Sequence, residues 1–271
     1  MGRSFEGRVA LITGASSGIG RALALNLADR GARVGLIARR LPALEALAGE
    51  IRARGAEAEA ARADVGDRDE LRRAVADLAD RLGPADLVVA NAGLGLPTTL
   101  EPMNIDVIER TFRVNLFGVI YTIEATLPAM LAAGRGHVAA ISSLAGFQAM
   151  PGESAYCASK AAVNSYMDGL RLQVRGRGVA VTTICPGFVH TPMTEADPYP
   201  KPFAIEADEA ARRIARALER RVKVARFPWQ TDLMVRFARR MPDWFLARVF
   251  RDTAKHAAGL AASLRATGGG D

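Results

Sequence analysis

Tyr156 and Lys160 stand four residues apart in "SAYCASKAAVNSYMDGLRLQV", a stretch that reads as a helix, so both side chains project from one face. The chain uses lysine four times and arginine thirty-two times. With four tyrosines as well, chance would supply only about 0.06 pairs at this spacing. A tyrosine hydroxyl titrates at about pH 10, too high for a general acid or base at neutral pH. A neighbouring ammonium favours the phenolate and brings the phenol into the working range. Arginine could carry the charge, but its planar fork suits bidentate anions, whereas lysine's compact ammonium can reach hydroxyl groups and still sit beneath a phenol. Ser143, in "ISSLAG", could donate a hydrogen bond to a substrate oxygen on which negative charge develops. Asn115, in "FRVNLFG", is a polar residue among apolar ones and must find partners, a relay water among them.

These side chains need a frame. The runs 8–13, 33–38, 86–91, 137–142 and 179–186 are short and apolar throughout, as strands covered on both faces should be. The weaker run 57–64, "EAEAARAD", fits a third strand. Between them lie segments of helical length and period, such as "LPALEALAGEIRAR", "DRDELRRAVADLADRL" and "IDVIERTFRVNLFGVIYTIEATLPAML". The alternation predicts an α/β fold of one domain, a doubly wound parallel sheet with helices on both sides. Ligands in that fold bind beyond the carboxyl ends of the strands. The expected organisation is a catalytic domain over 1–227 and a basic, amphipathic helical extension over 228–271.

The first strand runs into "TGASSGIG" and then an amphipathic helix. The spacing differs from Gly-x-Gly-x-x-Gly, yet the physics is the same. Gly14 permits a tight turn, Gly18 lets backbone amides approach an anion, and Gly20 allows close helix packing. The helix N-terminus then faces a pyrophosphate. After the second strand the sequence reads Ala38-Arg39-Arg40, where an acid would hold the ribose 2′-hydroxyl of NAD. Arginine there pairs with a 2′-phosphate, which predicts NADP(H); the plainer alternative is two solvated charges in an arginine-rich chain.

Other classes lose support. The chain starts on a charged stretch that passes straight into a strand, which predicts no signal peptide, and no unbroken apolar run reaches bilayer-spanning length. A cytoplasmic protein is expected. Cys157 and Cys185 alone make a disulfide framework improbable, and the dispersed His137, His190 and His256 offer no metal site. Residues 201–271 hold 15 Lys+Arg and 8 Asp+Glu, which accounts for the whole net charge of +7 and leaves residues 1–200 neutral. No extended basic groove serves nucleic acid.

"TGASSGIG", "NAG" at 91–93, "RVNLFG", "ISS", "YCASK" and "CPGFVHT" resemble, in order and spacing, the motifs of the short-chain dehydrogenases/reductases, over about residues 6–225. The resemblance implies a Rossmann fold of about seven strands and NAD(P)-dependent interconversion of carbonyl and alcohol. It implies Tyr156 as proton donor or acceptor, Lys160 on the nicotinamide ribose, Ser143 on the carbonyl and Asn115 holding the proton-relay water. For the cofactor it implies the turn Gly14, Ser16, Ser17, Gly18, Ile19 and Gly20, adenine contacts from Asp64 and Val65, and the turn Asn91, Ala92 and Gly93. Pro186, Gly187, Val189 and Thr191 would orient the carboxamide. One departure stands out: NADP-specific members often carry a basic residue where this chain has Ser17, so the NADP reading rests on Arg39 and Arg40.

The segments after strands four, five and six, 94–103, 144–154 and 188–204, would form the substrate pocket. Leu94, Leu96, Phe147, Met150, Phe188, Met193 and Phe203 give it an apolar lining, suited to a lipophilic ketone, aldehyde or alcohol; the third segment reads as a lid. Alternatives are a non-catalytic NADP(H)-binding sensor and a ketoacyl-carrier-protein reductase. The family's habit of pairing through the helices at 104–132 and 154–175 implies a homodimer or homotetramer. The extension could pack on the domain, meet a partner subunit, or lie peripherally on a membrane.

Overall fold

The computed structural model describes residues 4–195, 200–251 and 259. Six strands form where the apolar runs predict them: β1 Val9–Thr13, β2 Arg33–Ala38, β3 Ala58–Arg62, β4 Leu87–Ala90, β5 Gly136–Ile141 and β6 Val179–Pro186. Two short strands, β7 Val189–His190 and β8 Ile205–Glu206, pair with each other. The last strand, β9 Val224–Phe227, joins the main sheet at its edge. That sheet has seven strands in the order β3-β2-β1-β4-β5-β6-β9, and every pairing is parallel.

The helices are α1 Gly18–Ala28, α2 Leu41–Ala53, α3 Arg68–Leu82, α4 Ile105–Phe112, α5 Gly118–Ala132, α6 Ser154–Gln173, α7 Pro192–Glu195, α8 Ala207–Glu219, α9 Trp229–Ala238 and α10 Asp243–Val249. Leu23 and Leu27 of α1, Leu44 and Ile51 of α2 and Ile214 of α8 fill one core against the sheet. Leu71 and Leu78 of α3, Ile123 of α5 and Val163 and Met167 of α6 fill the other. Each such side chain stabilises the fold by about 1.5–3 kcal/mol on burial. The central strands β1, β4 and β5 bury every residue. The edge strands β3 and β9 do not, which is why their apolar signal is thin.

α4 and α5 are one rod joined by a π turn over Arg113–Phe117. By length and composition Ile105–Ala132 could cross a membrane, but it serves as a core helix, with Val119, Ile123 and Met130 buried against the sheet. Gly118 lies so close to Val65 that a Cβ there would meet the Val65 side chain at 2.8 Å. The wide turn thus brings Asn115 against the carboxyl edge of the sheet, and π turns are frequently found at such functional places.

Candidate active site

The sheet's carboxyl edge opens into a cleft lined by the glycine-rich turn, the ends of β2 to β6 and the first turns of α6. Its cofactor side is built by exclusion of side chains. Gly14 has φ +67°, and a Cβ there would stand 2.7 Å from Ala92 Cα. A Cβ on Gly20 would run into the Gly14 carbonyl oxygen and the Asn91 amide. Both positions therefore need glycine, and the free N-terminus of α1, whose first turn carries no acid, faces the cleft as an anion site. Asn91 locks the turn: its Nδ2 donates to Thr13 O at 2.9 Å and Gly14 O at 3.3 Å. The backbone amides of Asn91 and Ala92 donate to Thr13 Oγ1 at 3.0 and 3.2 Å. Thr13, a hydroxyl ending an otherwise apolar strand, was not singled out from the sequence; that contrast was the available signal.

Arg40 reaches back across the turn, its Nη2 donating to Ser16 Oγ at 3.1 Å and Ser17 Oγ at 3.0 Å. Arg39 stands 3.9 Å from Asp64 and is exposed. Ala38, Arg39, Arg40, Asp64, Val65 and Ile19 all line this end of the cleft. Asp64 is shaped by local bonds, its Oδ1 accepting from Gly66 N and its own amide donating to Glu70 Oε2, both at 2.9 Å. The residues thus fit a dinucleotide: a glycine cradle, a helix N-terminus, and guanidinium and hydroxyl groups beyond it.

At the other end, Lys160 is 4% exposed and donates through Nζ to Ile141 O at 2.9 Å. Its ammonium lies 5.8 Å from the centre of the Tyr156 ring. Burial pushes the Lys160 pKa down to about 8. Ser142, another residue the sequence did not flag, fixes this stretch by donating to Lys160 O at 3.0 Å. Ser143 Oγ accepts from Ala145 N at 3.1 Å and donates to Pro186 O at a long 3.4 Å. That hydroxyl can change acceptor at small cost.

Asn115 is fully buried. Its Nδ2 donates to Leu94 O at 2.9 Å and Ser159 Oγ at 3.0 Å, and its Oδ1 accepts from Leu94 N at 2.9 Å. One amide hydrogen and the amide oxygen thereby clamp Leu94, and the other amide hydrogen ties this clamp to Ser159 of α6. A Cβ on Gly95 would stand 3.8 Å from both Tyr156 and Met193, so this segment passes between the phenol and the third substrate loop. Leu94 and Met193 line the cleft, as do Gly93, Pro186, Gly187, Val189 and Thr191. Phe203 is half exposed. Phe147 lies beneath Arg226, whose guanidinium carbon is 4.0 Å from its ring centre; Arg226, distant in sequence, gave no prior sign. His190 is exposed and does not line the cleft.

Cys157 and Cys185 are buried and free, and burial raises both thiols, to about 11 and about 12. Tyr121 and Tyr166 pack on the core. Among the described residues no cluster of His, Cys, Asp and Glu could hold a metal. The start of the segment 188–204, expected to act as a lid, is paired through β7 to β8 just after its end, while 196–199 fall outside the described residues.

Sheet, cradle and Tyr–Lys pair define a nicotinamide-dependent oxidoreductase of the Rossmann type. Residues 8–200 match the short chain dehydrogenase family, and the chain belongs to it. It is 41% identical over 236 residues to an uncharacterized oxidoreductase of Myxococcus xanthus, covering 87% of this chain and 93% of that one. A solved 3-ketoacyl-ACP reductase from Sinorhizobium meliloti superposes with TM-score 0.73 at 34% identity, over 81% of this chain and 96% of that chain. A short chain dehydrogenase/reductase from Burkholderia phymatum, solved in complex with NAD, gives TM-score 0.80 at 27% identity, over 86% and 93%.

Proposed function

We propose that the protein is an NADP(H)-dependent oxidoreductase that interconverts an apolar ketone or aldehyde and its alcohol. The observation that carries the chemistry is the buried Lys160 ammonium beneath the Tyr156 ring at the mouth of the cleft. When bound, the nicotinamide supplies or accepts the hydride. Tyr156 passes a proton to the substrate oxygen in reduction and takes it back in oxidation. Lys160, held on Ile141 O, stabilises the phenolate at that moment. Ser143 turns its hydroxyl from Pro186 O to the substrate oxygen and steadies the charge there. Asn115 keeps the Leu94 segment in register beside the phenol, and a relay water beside Lys160 would complete the proton path.

NADP(H) is favoured over NAD(H) by Arg40, which with Ser16 and Ser17 forms a donor cluster suited to a 2′-phosphate, and by Ala38 standing where an acid would bind a ribose hydroxyl. The apolar lining from Leu94 and Met193 supports a lipophilic substrate. Likeness to the 3-ketoacyl-ACP reductase, together with the basic extension, supports a second reading in which the substrate arrives on an acidic carrier. A panel of ketones, aldehydes, alcohols and carrier-bound ketoacyl groups, assayed with NADPH, NADP⁺ and the NAD forms, tests both readings. The account predicts turnover with the NADP forms on free lipophilic members, and a loss of about a thousandfold or more in Tyr156→Phe with NADPH binding intact. Turnover on the carrier-bound members alone would select the second reading; a fully active Tyr156→Phe would remove the mechanism.

A further inference from the structure

α9 is mounted inside out. A surface helix ordinarily turns its apolar stripe to the core, yet here Thr231 is buried against Gly187, 3.0 Å from where a Cβ on that glycine would lie. Asp232 is held by Arg226 at 3.7 Å and Arg236 at 2.7 Å. The opposite face carries Trp229, Leu233 and Phe237 at i, i+4 and i+8, exposed by 68, 58 and 58%. α10 adds Trp244 and Val249, exposed by 72 and 57%. Of the fourteen exposed large apolar side chains among the described residues, six fall between 229 and 249, a density that marks an interaction surface. Arg239, Arg240 and Arg248 are exposed within the same stretch, and Arg251 just after it.

We infer that this face docks the protein on an anionic lipid bilayer. Tryptophan and phenylalanine beside arginine suit the headgroup boundary, where the ring enters the apolar layer and the guanidinium meets phosphate. Charge decides between occupants. A second copy, bound isologously, would set one arginine-rich face against another, whereas anionic headgroups complement it at about 1 kcal/mol per arginine, or about fivefold in affinity. Docking would bring the membrane beside the substrate side of the cleft, because the inner face of α9 is tied through Asp232 and Arg226 to Phe147 in the segment after β5.

The chain's two tryptophans, Trp229 and Trp244, are both exposed within 229–249, so their fluorescence reports docking without substrate or cofactor and independently of the proposed oxidoreductase function. The full-length protein is titrated with phosphatidylcholine vesicles with and without phosphatidylglycerol, and with brominated lipid as quencher. The expected result is a blue shift, quenching and co-sedimentation that require phosphatidylglycerol and weaken with salt. Leu233→Ser with Phe237→Ser should lower the partition coefficient at least about tenfold at unchanged melting temperature. Arg239→Gln and Arg240→Gln should each lower it by about fivefold. Absence of shift and pelleting would overturn the inference, as would equal binding to neutral vesicles. A lipid-independent shift that rises with protein concentration and mass would overturn it in favour of a second copy.

Discussion

At the end of β5 that faces the cleft, the Lys160 ammonium donates to Ile141 O; at the opposite end His137 is buried with its Nε2 2.8 Å from Thr182 Oγ1. Burial lowers the pKa of both, to about 8 and to about 4. The same cause thus acts on a base at each edge of the sheet, and its outcome differs. Lys160 keeps its charge at neutral pH, sits beneath a phenol and borders open space. His137, further disfavoured as a cation by Arg221 and Arg8, is neutral and closed in by strands. A perturbed base marks a site only when a reactive partner and a cleft accompany it.

Perturbing the cleft edge should change catalysis and leave folding largely alone. Arg40→Gln removes the guanidinium from Ser16 and Ser17 and is expected to lower kcat/KM for NADPH by about ten- to a hundredfold, with the value for NADH little changed. Equal losses with both cofactors would refute the 2′-phosphate role. Perturbing the far edge should do the reverse. The folded His137 resists protonation, so stability is retained above about pH 6.5 and falls as pH drops towards 4, by on the order of 3 kcal/mol. His137→Gln, which can keep the bond to Thr182, should remove that part of the acid loss without altering turnover. Urea midpoints of the two proteins from neutral to acid pH check this; parallel curves would show that His137 does not carry it.

The sequence exposes these two edges unequally. Tyr156 and Lys160 are legible because their contact is local, one helical turn apart. The central strands are legible because burial on both faces leaves mostly apolar residues. β3 and β9 are faint since each is an edge strand with exposed positions. Asn115 is visible as a polar residue in an apolar helix, but its clamp on Leu94 depends on the π turn and a chain separation that periodicity cannot encode. Thr13 and Ser142 act through backbone atoms, and Arg226 meets Phe147 across the fold. Such contacts leave no spacing to read. The outward face of α9 runs against the ordinary rule for amphipathic helices, so its pattern alone did not say which way it points.

The central claim is that Lys160 acts as a compact ammonium in a narrow slot of the cleft wall, and not merely as a positive charge near Tyr156. Lys160→Arg tests it most directly, through NADPH-dependent reduction of the best ketone from the panel, with NADPH affinity and melting temperature taken on the same sample. The account predicts a fall in kcat of about a hundredfold at retained NADPH binding, because a guanidinium cannot occupy the slot against Ile141 O and still serve the phenol. Turnover within about twofold of the original would contradict it, since charge alone would then suffice.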